Sequence, residues 1–230
     1  MKKIVFLLIL ILSLSVFPLA YAGFDEGMAA YQRGDYAKAY KEFKPLAEQG
    51  DAEAQRVLGG MYEQGKGVPQ DDGEAFRWYR KAAEQGNSLV QWKVGYMYEH
   101  GLGVPQDYTE AVKWFRKAAG QGHVASQFHL GMMCQRGEGG PQDYAEAVKW
   151  YREVADQGDA NGQFYLGCMY AHGLGVPQDY VEAHMWLNLS AAQGDREAKK
   201  YRDWLAEKMT PSQIAEAQRL AREWKPKGQD

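Results

Sequence analysis

Metal ligation and nucleophilic catalysis need histidine, cysteine, serine or carboxylates gathered at particular spacings. The histidines of this chain are His100, His123, His129, His172 and His184, and its cysteines are Cys134 and Cys168. A zinc-protease helix would read H-E-x-x-H, and no such run occurs. His123 and His129 are close in sequence, but on one helix that spacing turns them away from each other, so no metal site is expected. There is no G-x-S-x-G elbow, and no S-x-x-K with a K-T-G partner. Carboxylates are plentiful, yet they sit at helix starts and on solvated faces, without the isolated pair of a glycosidase. No catalytic residue and no cofactor are assigned.

One stretch still invites a chemical reading. GLGVPQD occurs at 101–107 and again at 173–179, with the variants GKGVPQD at 65–71 and GEGGPQD at 137–143. A dinucleotide fingerprint needs a third glycine and a preceding strand, and a phosphate loop needs G-K-[ST]; both are missing. The structural role fits each position instead. The first glycine ends a helix, the second lets the backbone reverse, valine tucks beneath the turn, proline blocks helix continuation and aspartate caps the next helix. Gly140 replaces the valine in the third copy. The lost burial should weaken that turn by roughly 1–2 kcal/mol and speed amide exchange over 137–143 relative to 101–107.

The elements that hold these turns repeat. Proline recurs at 69, 105, 141 and 177, an interval of 36 residues without drift. Gly50, Gly86, Gly122, Gly158 and Gly194 keep the same interval, as do Trp78, Trp114, Trp150 and Trp186. Such a period means one supersecondary unit copied in tandem. Within a unit the pattern is helical twice. Tyr108, Ala111, Val112, Phe115, Ala118 and Ala119 form one apolar face over 108–122, with Lys113, Arg116 and Lys117 opposite. Asp107 suits an N-cap, and Glu110 would complete a capping box, as would Asp71 with Glu74, Asp143 with Glu146 and Asp179 with Glu182. A second helix over 87–100 places Val90, Val94, Met97 and Tyr98 inward. The tryptophans, at helical spacing, are read as packing. Arg77, Arg80, Lys113, Arg116, Lys149 and Arg152 make a basic stripe that reads as a solvated surface.

The first 22 residues stand apart. Lys2 and Lys3 precede an apolar run from Ile4, Pro18 breaks it, and Ala20-Tyr21-Ala22 offers a cleavage site, so 1–22 reads as a signal peptide rather than an uncleaved anchor. The formal charge is −3, and loss of the leader removes two lysines and no acid. That balance argues against nucleic acid as a partner, which would need a basic stripe of real excess. Stable membrane insertion after cleavage is not expected. Two cysteines are too few for a disulfide scaffold, so packing must supply stability. Cys134 takes the column of Tyr62, Tyr98 and Tyr170, whereas Cys168 shares that of Gly60, Tyr96 and Met132. Two steps along a helix turn them to different faces, although an oxidising compartment leaves a disulfide open.

A unit reading A-x-x-x-LG-x-MY-x-x-G-x-GVPQD-Y-x-EA-x-x-W-[YF]-x-x-AA-x-QG resembles the Sel1-like repeat, a relative of the tetratricopeptide repeat. Four full units match, at 51–86, 87–122, 123–158 and 159–194. Residues 23–50 resemble a tetratricopeptide-type hairpin with the turn RGDY, and 195–230 read as capping helices, about 195–208 and 211–224, with a tail. The resemblance implies an all-α fold, a right-handed superhelical solenoid of helix-turn-helix repeats. It also implies a protein or peptide ligand bound on the concave surface; with the leader at 1–22, a monomer exported to the periplasm or secreted is expected. Some cysteine-rich members are described as β-lactamase or penicillin-binding proteins, which makes an envelope hydrolase the alternative. Those members carry a cysteine pair in every repeat, which this chain lacks.

In tetratricopeptide-like arrays the first helix of each pair lines the groove. Carried onto this sequence, that rule points to Leu89, Trp92, Tyr96, Glu99, His100, Phe128, Met132, Arg136, Phe164 and His172. They make an apolar band flanked by polar and titratable groups, which suits an extended peptide or a partner helix. The column Trp92, Phe128, Phe164 is open to either groove contact or burial between repeats; Tyr96 and Met132 are expected to be exposed.

Overall fold

The computed structural model describes residues 23–227, and every regular element among them is an α-helix. Residues 1–22, expected to be a signal peptide, lie outside the described residues. Helix α1 covers 23–32. It is followed by α2 (Tyr36–Glu48), α3 (Ala52–Gln64), α4 (Asp72–Glu84) and α5 (Ser88–His100). Then come α6 (Tyr108–Ala119), α7 (Val124–Arg136), α8 (Tyr144–Asp156), α9 (Ala160–His172), α10 (Tyr180–Ala192), α11 (Arg196–Ala206) and α12 (Pro211–Glu223). They group into two compact units, one ending at Asp107 and one beginning at Tyr108. No helix among the described residues is long and apolar enough to cross a membrane.

Helix starts are set by side-chain caps. Asp71, Asp143 and Asp179 accept from the backbone N–H of Glu74, Glu146 and Glu182, which satisfies donors the helix itself cannot. The reciprocal half of the expected capping box does not form there. Glu74 pairs with Arg77, Glu146 with Lys149, and Glu182 accepts from the Trp186 indole. An ion pair one turn along competes successfully for a carboxylate that is only weakly held by the N-cap amide. The full box is present at Thr210 and Gln213, ahead of α12. His123 is itself the N-cap of α7, accepting from Ser126 N–H, so it does not share a helical face with His129.

The heptapeptide is accounted for residue by residue. Its first glycine, at 65, 101, 137 and 173, ends the helix in the left-handed region. Its second does more than reverse the chain. A Cβ on Gly103 would lie 2.0 Å from the carbonyl oxygen of Asp72, and one on Gly175 2.3 Å from that of Tyr144. Each turn therefore stacks on the start of the second helix of the preceding repeat, and only glycine permits that approach. The glutamine, whose role is not evident from the motif alone, donates to the last turn of the helix before it: Gln106 to Glu99 O, Gln142 to Gln135 O and Gln178 to Ala171 O, each at 2.8 Å. Aspartate closes the turn by donating its N–H back to Tyr62, Tyr98, Cys134 and Tyr170.

In the first unit the core gathers Phe43, Leu46, Leu58, Met61 and Trp78. The second packs Tyr151, Leu166, Met169, Trp186, Leu187 and Leu205. Trp78, Trp114 and Trp186 are buried as expected of packing residues, and Trp150 is half-buried. Lys81 and Lys117 lie over the Trp78 and Trp114 rings at 4.2 and 3.9 Å, which is worth about 0.5–1 kcal/mol at an exposed edge. A buried glutamine column, Gln55, Gln91, Gln127 and Gln163, also keeps the repeat interval. Gln55 donates to Ala47 O and Gln91 to Ala83 O, while Gln85, Gln157 and Gln193 donate to the side-chain carbonyls of Gln55, Gln127 and Gln163. Buried amides paired in this way fix the spacing of successive hairpins. At the C-terminal end Trp224 meets Trp186 edge-on, and Lys227 binds Asp156 through both backbone and side chain. The tail is thereby fastened to α8.

Candidate functional site

On α5, Trp92, Tyr96 and His100 follow at four-residue steps, so their rings share one face. The Trp92 and Tyr96 centroids are 5.6 Å apart, and Tyr96 stacks on His100 at 4.0 Å. His100 Nδ1 lies 2.9 Å from the Tyr96 carbonyl, which holds the imidazole against the phenol ring. Trp92 and Tyr96 are half-buried, and His100 is exposed. Beside this ladder Lys93 forms an ion pair with Glu63 of α3 and stands 5.8 Å from the Tyr79 and Tyr96 rings. Tyr79 donates its hydroxyl to Glu63 at 2.8 Å; burial, reinforced by that carboxylate, drives the phenol well above its ordinary pKa. Glu63, Tyr79 and Lys93, with Arg56, Val90, Trp92 and Leu89, line a shallow cleft of about 200 Å³. Leu89 is 53% exposed, unusual for so large an apolar side chain.

The expected groove set is not uniformly presented. Glu99 is buried, with only 8% of its surface exposed, and Ala171 of the same column is buried too. That column therefore turns into the packing at these repeats rather than lining a groove. At both helix ends the glutamine of the heptapeptide donates to the backbone carbonyl of that same residue.

In the second unit Phe128, Met132 and Phe164 are half-buried and pack on the core, so the aromatic column there serves both burial and surface. Phe128 touches Tyr165 edge-on at 5.2 Å, Phe164 meets Tyr165 at 5.4 Å, and Tyr151 donates to Gln135 at 2.7 Å. Arg136 is exposed, 3.8 Å from Glu138. His172, also exposed, places Nε2 2.6 Å from the Tyr201 hydroxyl, and Tyr201 stacks on Trp204 at 5.2 Å, with Lys208 over the indole at 4.7 Å. Trp204 is 44% exposed.

The sequence did not single out Tyr79, Lys93, Tyr201 or Trp204. Lys93 shares a column with Val57, His129 and Tyr165. The changing residue type at a fixed interval is the signal that would have marked it, because framework columns hold one type. Tyr201 and Trp204 lie beyond the last repeat, where the interval gives no guide.

Both cysteines are free thiols. Burial raises the pKa of Cys134 and pushes Cys168 up to about 12, which makes both poor nucleophiles. His129 stacks on Phe115 at 4.8 Å, and His184 is buried. Among the described residues no group of three or more histidine, cysteine or acidic side chains is placed to hold a metal ion.

Capped helical hairpins with glycine-mediated turns and varying surface aromatics recur in both units. Residues 52–87, 88–123, 124–159 and 160–195 each match the Sel1 repeat. The chain belongs to the Sel1 repeat family. Its fold is the all-α repeat fold of that family. A crystal structure of a protective antigen present in uropathogenic Escherichia coli strains, displaying the Sel1-like fold, is 37% identical with a TM-score of 0.78. The match covers 89% of this chain and 46% of the antigen, so the chain spans less than half of that protein's length. A Sel1 repeat protein from Oxalobacter formigenes is 35% identical with a TM-score of 0.71, over 76% of this chain and 72% of its own. A comparison with curated proteins returns no match. Sel1 repeat proteins are generally protein-interaction scaffolds, and the fold is typically non-enzymatic.

Proposed function

We propose that this Sel1 repeat protein is a non-enzymatic scaffold that captures a peptide or partner protein through the first helices of its repeats. In this reading residues 1–22 direct export and are removed near Ala22, and the protein acts as a monomer in the periplasm or outside the cell. Residues 23–50 and 195–230 then serve as end caps for the repeats between them, shielding apolar faces that would otherwise be open.

The observation that carries the reading is the ladder of Trp92, Tyr96 and His100 beside the exposed Leu89. Leu89 and His100 are exposed, and Trp92 and Tyr96 are only half-buried. Rigid aromatic groups with a charged rim, here Lys93 and Glu63, are what hot spots of recognition surfaces use. The second unit contributes Phe128, Met132, Phe164, Arg136 and His172. Glu99 is removed from the set, because a buried carboxylate cannot meet a ligand.

The test is capture of partners by crosslinking in the native cells, followed by the same experiment with Tyr96→Ala combined with Met132→Ala. Loss of specific partners from a normally folded double variant supports the groove. Unchanged capture sinks it.

A further inference from the structure

At two positions where the other turns agree, the third turn differs, and both changes remove bulk from one place. Cys134 stands where the other repeats have Tyr62, Tyr98 and Tyr170, and Gly140 stands where they have Val68, Val104 and Val176. In the other repeats the tyrosine ring is gripped by residues of the preceding hairpin. Tyr62 meets Tyr40, with hydroxyls 3.1 Å apart, and Tyr98 packs edge-on against Phe76 at 5.1 Å. Tyr170 lies under Arg152, whose guanidinium is 5.6 Å from the ring centre and donates to the hydroxyl.

At the third turn the residues corresponding to Tyr40 and Phe76, and to Arg152, are Val112 and Arg116. Both line an open cleft of about 230 Å³, together with Cys134, Gly140, Pro141 and Glu146. A Cβ built on Gly140 meets nothing within 4 Å. Lys149 takes up Glu146 and Arg136 faces Glu138, whereas no ion pair of Arg116 is found among the described residues. The cage of a tyrosine ring is therefore present without the ring. Its size is adequate, since an enclosed apolar cavity of about 150 Å³ already binds benzene.

We propose that this cleft receives a tyrosine side chain from a partner polypeptide, seated under Arg116 as Tyr170 is under Arg152. Only the source of the ring rests on the scaffold reading above; the affinity of the cleft for a phenol does not. Val112 and the methylene stem of Arg116 supply the apolar walls, and the guanidinium supplies a cation over the ring face and a donor to the hydroxyl. The neighbouring carboxylates Glu138 and Glu146 disfavour an anionic ligand and leave a neutral phenol acceptable.

The experiment titrates p-cresol into the full chain and follows the backbone amides of 137–143 by heteronuclear NMR. Saturable shifts confined to that turn are expected. They should vanish in Cys134→Tyr, where the protein supplies its own ring, and weaken in Gly140→Val, which is read alone if the tyrosine variant does not fold. Gly-Tyr-Gly should move the same amides and Gly-Ala-Gly should not. Absence of saturable shifts in the wild type, or their persistence in every folded filled variant, overturns the site. Binding of p-cresol without Gly-Tyr-Gly overturns a polypeptide source. No partner enters the p-cresol titration, so its failure is distinct from failure of the groove reading, which the Tyr96 and Met132 variants decide.

Discussion

Two glycines of the same repeat, Gly131 and Gly140, should respond to enlargement with opposite signs. A side chain at Gly140 has open space around it, and its φ is not positive, so valine enters without backbone strain. The valines of the other turns are half-buried, so about half of the ~1.5–3 kcal/mol of a fully buried valine is available, about 1 kcal/mol. Narrowing the unfolded ensemble adds about 0.4–1 kcal/mol. Gly140→Val should thus stabilise by about 1.5–2 kcal/mol, or roughly 3–8 °C in a chain of this size. At Gly131 the Cβ of alanine would lie 2.6 Å from the Tyr151 ring. That ring is fully buried and tied to Gln135 by its hydroxyl, so it cannot swing aside. Gly131→Ala should cost about 1–3 kcal/mol by overpacking. Equilibrium urea unfolding of the two variants against wild type measures both; a shifted midpoint at unchanged slope reports stability. Equal signs, or a neutral Gly140→Val with no change in slope, would refute the reading of the third turn as an unfilled site.

Other outcomes follow from the same geometry. Amides of 137–143 should exchange faster than those of 101–107 and 173–179, because the third turn keeps its hydrogen bonds but lacks the valine; equal protection would contradict this. At pH 8 a thiol reagent should react slowly with Cys168 in the native protein and rapidly once urea is added, since burial pushes that thiol up to about 12; fast native reaction at Cys168 would show the burial to be wrong. His184 has its pKa lowered by burial and by Arg202, against a smaller opposing effect of Asp203. Its folded-state pKa lies below the unfolded value of about 6.5, so its contribution is present above that pH and is lost as pH falls through 6.5 toward the folded value. Urea midpoints between pH 7.5 and 5 should fall less in His184→Gln than in wild type, and parallel curves would exclude His184 as the cause.

The repeat interval, the helices and their caps were legible in the sequence because they rest on local chemistry. An aspartate cap, a glycine helix end and a 3.6-residue apolar face act within one turn of the chain, and each repeat states them again. Why the turn has a second glycine was not legible. Gly103 and Gly175 need to lack a side chain because a carbonyl of the preceding repeat lies against them, and only the stacked structure brings that carbonyl near. The capping-box glutamates were misread for a related reason: an N-cap amide and a neighbouring Arg or Lys compete for one carboxylate, and side-chain geometry decides between them. Glu99 is the clearest case. Its column matched the groove-facing pattern, but in the folded chain its side chain is buried. Periodicity determined which residues can share a face; which of those faces reaches solvent was decided by what the tertiary structure lays on top.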